Sequence, residues 1–172
     1  DIPIMIDCNC PWTIDEAITM AKRLAEFNPY WLEEPIWPPE DHKGLARVRD
    51  FGGLRTAAGE NAMLPEFKSM FEHAALSFAQ PSITKVGGVT MMRKVMTLAD
   101  SFGVTVVPHS AYFGPGLLAS IHCIASMGIP TLVERYDADF AENLLHDAIH
   151  PKNNGCIPVP QGPGLGVDPD LR

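Results

Sequence analysis

Three carboxylates recur at one phase of this chain. Asp7, Glu33 and Glu60 each stand just past a short apolar run: Ile2 to Ile6, Tyr30 to Leu32, and Leu54 to Ala58. An acid at the end of a buried strand is costly unless a positive group stands beside it. Three that converge without a cation would repel and raise one another's pKa values. A hard divalent ion relieves the repulsion, and an all-oxygen ligand set with room for water and substrate oxygens suits Mg²⁺. The bland alternative is that each acid caps the helix after it, a common use of strand-end acids. Matched phase in three runs favours the shared cation. Alternation along the first strand predicts Asp7 and Asn9 on one face, with Cys8 and Cys10 on the other. It also turns Glu34 away from Glu33, leaving one of that pair for metal. Cys8-x-Cys10 lacks the second close pair that a zinc site needs.

The elements that must position these acids alternate between strand and helix. Thr13 with Glu16 three residues on reads as a capping box for a helix running to about Phe27. Helices follow near Asp41 to Phe51, from about Pro65 to His73, from Thr90 to Phe102 and from Pro115 to Met127. Strands are expected at Ser77 to Gln80, Val104 to Val107 and Thr131 to Val133, ending at Ser82, His109 and Glu134. The intervals Asp7–Glu33, Glu33–Glu60, Glu60–Ser82, Ser82–His109 and His109–Glu134 are 26, 27, 22, 27 and 25 residues. Each is about one βα unit, which predicts parallel strands whose C-terminal ends open on one face. Polar residues at six successive strand ends favour a (β/α)8 TIM-like barrel over an open sheet, where only a few strands form the crevice. No Gly-x-Gly-x-x-Gly follows a strand, so nothing supports a dinucleotide site.

Composition narrows the partners. The 172 residues are 46% hydrophobic and 20% charged, with a net charge of −8. The pI near 5.1 argues against nucleic acid or an anionic membrane surface as partner. No apolar run approaches a membrane span, and no signal peptide is visible. Four cysteines, Cys8, Cys10, Cys123 and Cys156, fit reduced thiols in a cytoplasmic protein.

Five segments carry a family resemblance: Asp7-x-Asn9, Trp31-Leu32-Glu33-Glu34-Pro35, Gly59-Glu60-Asn61, Lys85-Val86-Gly87-Gly88-Val89-Thr90 and Pro108-His109. Together they resemble the barrel of the enolase superfamily, in its mandelate racemase/muconate lactonizing enzyme family, mandelate racemase-like branch. The tail Val159 to Gly166 resembles that family's C-terminal segment. The resemblance implies that Asp7, Glu33 and Glu60 bind Mg²⁺, and that the ion holds a substrate carboxylate while an α-proton leaves through an enediolate. This is the known pattern of the superfamily, a Lys or His base with Mg²⁺. It implies His109 as general base or acid, Glu134 as a hydrogen-bonding partner of the substrate carboxylate, and Asn9, Asn61 and Ser82 near the substrate. For His42, His73, His122, His146 and His150 a structural role is expected.

Two departures from the family pattern matter. Where racemases of this branch place an Asp beside the histidine, this chain has Ser82, and the lysine of the cycloisomerase branch is also missing. That favours dehydration of a hydroxy acid or acid sugar over racemisation, epimerisation or cycloisomerisation. The chain also begins at what resembles the third barrel strand, so residues 1–136 are expected to form strands three to eight. Residues 137–172 are expected to be an irregular C-terminal segment that in the family returns toward a capping domain. A partner is then the missing N-terminal portion, and family likeness implies a homo-oligomer. A serine hydrolase is disfavoured because no Gly-x-Ser-x-Gly elbow exists. A non-catalytic barrel remnant or assembly module is the other alternative.

Overall fold

A computed structural model describes residues 2–136, 145 and 149–168. Its elements, in order, are β1 (Met5–Asp7), α1 (Ile14–Leu24), a 3-10 turn (Ala25–Phe27), β2 (Trp31–Glu33), α2 (His42–Gly52), β3 (Thr56–Ala58), α3 (Leu64–Glu72), β4 (Phe78–Ala79), α4 (Gly88–Ser101), β5 (Thr105–Val106) and α5 (Pro115–Ala125). The strands form one five-stranded sheet in sequential order, and each neighbouring pair is parallel. This is the α/β grammar of a TIM-barrel-like domain.

The helix starts follow from local chemistry. Thr13 and Glu16 cap α1 reciprocally, with the Thr13 backbone N–H 2.9 Å from Glu16 Oε2. Asp41 accepts the Gly44 N–H at 2.8 Å and starts α2. Each such cap contributes about 1 kcal/mol.

Alternation then sorts the strand residues onto two faces. Leu32, Ala58, Ala79 and Val106 pack outward against Ala17, Ala21, Val48, Phe67, Met92 and Val95 of the helices. Trp31, Ala57, Phe78 and Val107 pack together on the opposite face, with Met5 beside them. This inner layer lies directly beneath the strand ends and holds the residues that follow it in place.

The sixth expected strand is a correction. No strand forms at residues 131–136, so the described residues contain five strands. The segment is tied to β5 and its loop by side chains instead: Thr131 Oγ1 donates to the Val106 carbonyl at 2.7 Å, and Ser110 Oγ to the Glu134 carbonyl at 2.7 Å. Pro130 removes a ladder donor where such a strand would begin. Of the C-terminal segment expected over 137–172, residues 137–144, 146–148 and 169–172 lie outside the described residues, His146 among them. Among the described residues no helix is long and apolar enough to cross a membrane.

Candidate active site

Position two beyond the inner layer generates the site. Met5, Trp31, Phe78 and Val107 belong to that layer, and Asp7, Glu33, Gln80 and His109 each follow one of them by two residues. Side chains two apart share a face in an extended chain, so all four are aimed at the same end of the sheet. In β1 and β2 this is explicit, because Asp7 pairs with Glu33 in the register.

The third strand breaks the rule. Two residues past Ala57 stands Gly59, at φ +120, where a Cβ would lie 2.5 Å from Phe67 Cε1. Only glycine fits there. The turn moves the acid one place on, to Glu60. Glu60 Oε2 lies 3.4 Å from His109 Nδ1, and its Oε1 lies 3.2 Å from Lys85 Nζ.

His109 Nδ1 also lies 3.0 Å from Glu134 Oε2. At that distance the imidazole and the carboxylate attract one another. The Glu134 contact is the main cause of a raised His109 pKa; burial opposes it, and Glu60 adds to it. Burial alone would raise the Glu134 carboxyl, but His109 and the backbone N–H groups of Ser110 and Ala111 outweigh burial and hold it below its ordinary value.

The acids on the first two strands behave oppositely. Burial pushes Glu33 up to about 7, and neighbouring Asp7 raises it further against hydrogen bonds from Gln80 and Trp31. Trp31 Nε1 donates to Glu33 Oε2 at 2.9 Å. Asp7, although exposed at the free edge of the sheet, is raised by partial dehydration and by the charges of Glu60 and Glu134. Four carboxylates therefore share one electrostatic neighbourhood with His109 and Lys85.

Asp7 feels the charge of Glu60, and Glu33 that of Asp7, yet among the described residues no three His, Cys, Asp or Glu groups stand close enough to form a metal cluster. Glu33 is tied to Trp31 and Gln80, and Glu60 to Lys85 and His109. The donor set still fits a hard divalent cation, because Asp7 and Glu33 carry raised pKa values in a neighbourhood of excess negative charge. Cys8 and Cys10 do not fit a thiolate site: burial and the adjacent acids push them to about 11 and about 12. Glu34 does turn away from Glu33, accepting from Cys10 Sγ at 3.3 Å and from the Gly59 N–H at 3.3 Å.

The remaining expected site residues divide. Asn61 Oδ1 accepts from Lys85 at 2.9 Å, and its Nδ2 donates to Glu60 at 3.0 Å, which puts Asn61 at the site. Asn9 is exposed, and its φ of 55 ends the alternation expected after Asp7. Its link to the site is a backbone N–H donated to Asp7 Oδ1 at 3.0 Å. Ser82 is fully buried, and its hydroxyl is engaged by Tyr112 OH. Tyr112 also meets the His109 ring edge-on, with centroids 5.8 Å apart. His42, His73 and His122 hydrogen-bond to Ser69 Oγ, the Ser69 carbonyl and the Leu165 carbonyl.

Gln80 and Tyr112 escaped the sequence reading. For Gln80 a signal existed: it follows an inward aromatic by two, as Glu33 does. Tyr112 lies in a loop where spacing predicts no direction.

The family model described as enolase C-terminal domain-like matches residues 1–172. The chain belongs to this family. It is 32% identical to the 3,6-anhydro-alpha-L-galactonate cycloisomerase of Streptomyces coelicolor over 99% of this chain and 45% of that protein. It is 30% identical to the D-xylonate dehydratase of Haloferax volcanii over 98% of this chain and 41% of that protein. Among solved structures, a Streptomyces coelicolor racemase with bound magnesium is similar at a TM-score of 0.78 and 33% identity, covering 97% of this chain and 45% of that one. The enolase C-terminal domain-like chain thus spans less than half the length of these relatives.

Proposed function

We propose that this chain carries the cation-binding and acid half of an enzyme that removes the α-proton of a hydroxy carboxylate and expels its β-hydroxyl, an acid-sugar dehydration. The observation that carries the reading is the meeting of Glu60, His109 and Glu134 at one end of the parallel sheet. Asp7, Glu33 and Glu60 would hold a divalent cation, Mg²⁺ by their all-oxygen chemistry. When bound, it would supply positive charge for the substrate carboxylate as the α-proton leaves.

The other steps belong to the chain's own side chains. His109, whose protonated form Glu134 favours, can deliver a proton to a departing hydroxyl, which leaves as water. Glu134 keeps the imidazolium charged and oriented. Lys85 neutralises part of Glu60 and fixes Asn61 beside it. Ser82, engaged by Tyr112, puts no carboxylate at the place where racemases of the family carry an Asp, and the carboxylates on His109 come instead from Glu134 and Glu60; this departure from the racemase pattern favours dehydration. Dehydratase and racemase names among the relatives support the class of chemistry.

Calorimetric titration with Mg²⁺ tests the first half: binding by the chain, lost in Glu60→Gln, is expected, and equal weak heats in both would sink it. A panel of acid sugars, assayed for 2-keto acid in the protein carrying this chain, tests the second. Epimers without keto product would overturn the dehydratase assignment.

A further inference from the structure

Gln80 is 4% exposed. It follows inward-facing Phe78 by two residues and so points to the site end of the sheet. Its amide lies close enough to the Glu33 carboxyl to lower that group's pKa, two strands away across β3. That reach is open because the intervening strand presents only Ala57 and Gly59 there. An amide group has two ends. The NH2 is the end able to serve the Glu33 carboxyl, and the buried carbonyl oxygen has no hydrogen-bond partner among the described residues. A buried carbonyl left without a donor is destabilising, and native structures retain such groups mainly where function uses them.

What the oxygen would accept is constrained by its surroundings. It has lone pairs and no proton, so it takes a donor. Asp7, Glu33, Glu60 and Glu134 make the neighbourhood negative, so an anionic ligand group has no reason to turn toward it. A neutral hydroxyl meets both conditions. We propose that Gln80 is a substrate-contacting residue that reads a ligand hydroxyl: its NH2 holds the Glu33 carboxylate, and its carbonyl oxygen receives the ligand O–H. Gln80 thereby links the cation ligand to the hydroxy part of the acid. This rests on the cation and hydroxy-acid reading above and adds the residue that selects for the hydroxyl. A site built to receive a hydroxyl rejects the analogue that lacks it, because the acceptor is then left dry and unpaired.

The test compares two probes, D-gluconate and 2-deoxy-D-gluconate, titrated calorimetrically into the chain at saturating Mg²⁺. The wild type is expected to favour the hydroxylated probe by about tenfold, the scale of one neutral hydrogen bond in a dry site. Gln80→Met, which keeps the volume and removes both polar ends, should bring the two affinities within about twofold. It should also weaken Mg²⁺ a fewfold through the loss of the donor to Glu33. Gln80→Asn serves where Met disturbs folding, checked by circular dichroism. One methylene shorter, its amide no longer reaches, and it too should lose the preference. A preference retained in either folded variant overturns the assignment, as does a wild type that binds Mg²⁺ but does not distinguish the probes or binds neither. A wild type that fails to bind Mg²⁺ overturns the cation reading itself, and the Gln80 assignment falls with it.

Discussion

His109 Nδ1 and Glu134 Oε2 stand 3.0 Å apart, bringing the loop after β5 and the segment that follows α5 to one point. The contact raises the histidine pKa and lowers that of the glutamate, so each group favours the charged form of the other. Once protonated, such a pair is loaded without being reactive by itself. A leaving group that takes the proton turns it into a neutral ring held by an anion.

The same shifts give the metal-free chain a definite pH dependence. His109 has a folded pKa above its unfolded value, so its stabilising contribution is complete below about 6.5 and is lost as pH rises through the folded value. Glu33, raised from 4.5 to about 7, acts in the same sense. Above that value it is a buried anion that the unfolded chain would rather hydrate; below it the folded form takes up a proton. Glu33 lowers stability as pH rises from about 4.5 to about 7, by roughly 1–3 kcal/mol, and His109 continues the fall above about 6.5. Urea midpoints measured without metal should fall over that range. Mg²⁺, which competes with protons for the same carboxylates, should stabilise more at the upper end. A flat or rising profile without metal would show that Glu33 is not the buried, poorly compensated acid described.

Gly59 makes a separate prediction about how Glu60 is aimed. Gly59→Ala puts a side chain at φ +120 and within 2.5 Å of the Phe67 ring, which is itself fully buried. Backbone strain and overpacking each cost about 1–3 kcal/mol. At about 2–4 °C per kcal/mol for a chain of this size, the thermal midpoint should drop by about 5 °C or more. The Mg²⁺ affinity should fall with it, because relief of the clash rotates the Gly59–Glu60 peptide. A midpoint shift of a degree or less would show that Phe67 yields and that the glycine is not required.

Most of this arrangement is legible in the sequence, because strand alternation and βα length are local properties. Four of the six expected strands formed within two residues of their expected bounds and a fifth, β1, began three residues late at Met5; Asp7 and Glu33 end adjacent strands, and Glu60 follows the third by two residues. What failed was decided by non-local facts. Thr131 to Val133 carries strand-forming residues, but a strand needs a backbone ladder, and here side chains of Thr131 and Ser110 make the contacts instead. Asn9 lost its expected alternation because the chain turns left-handed immediately after β1. Ser82 was placed at the right strand end, yet its burial and its tyrosine partner depend on how the loop before α5 folds back. Spacing carries no information about that.

That partner yields the last prediction. Ser82 is fully buried, and its hydroxyl and that of Tyr112 engage one another across 30 residues of sequence. Ser82→Ala leaves the Tyr112 hydroxyl without this partner, at a cost of about 1–3 kcal/mol, whereas Tyr112→Phe leaves Ser82 Oγ only the Thr84 hydroxyl at 3.3 Å. Removing both leaves neither. Ser82→Ala and Tyr112→Phe should therefore each destabilise the chain, while the double variant should lose clearly less than the two single losses combined, with a coupling of about 0.5–2 kcal/mol. Tyr112→Phe retains the ring that meets His109 edge-on at 5.8 Å, so the His109 proton chemistry should survive it. Denaturant midpoints for the four proteins settle the coupling. Strict additivity would mean that the two hydroxyls do not depend on one another, and that Tyr112 is placed by its ring alone.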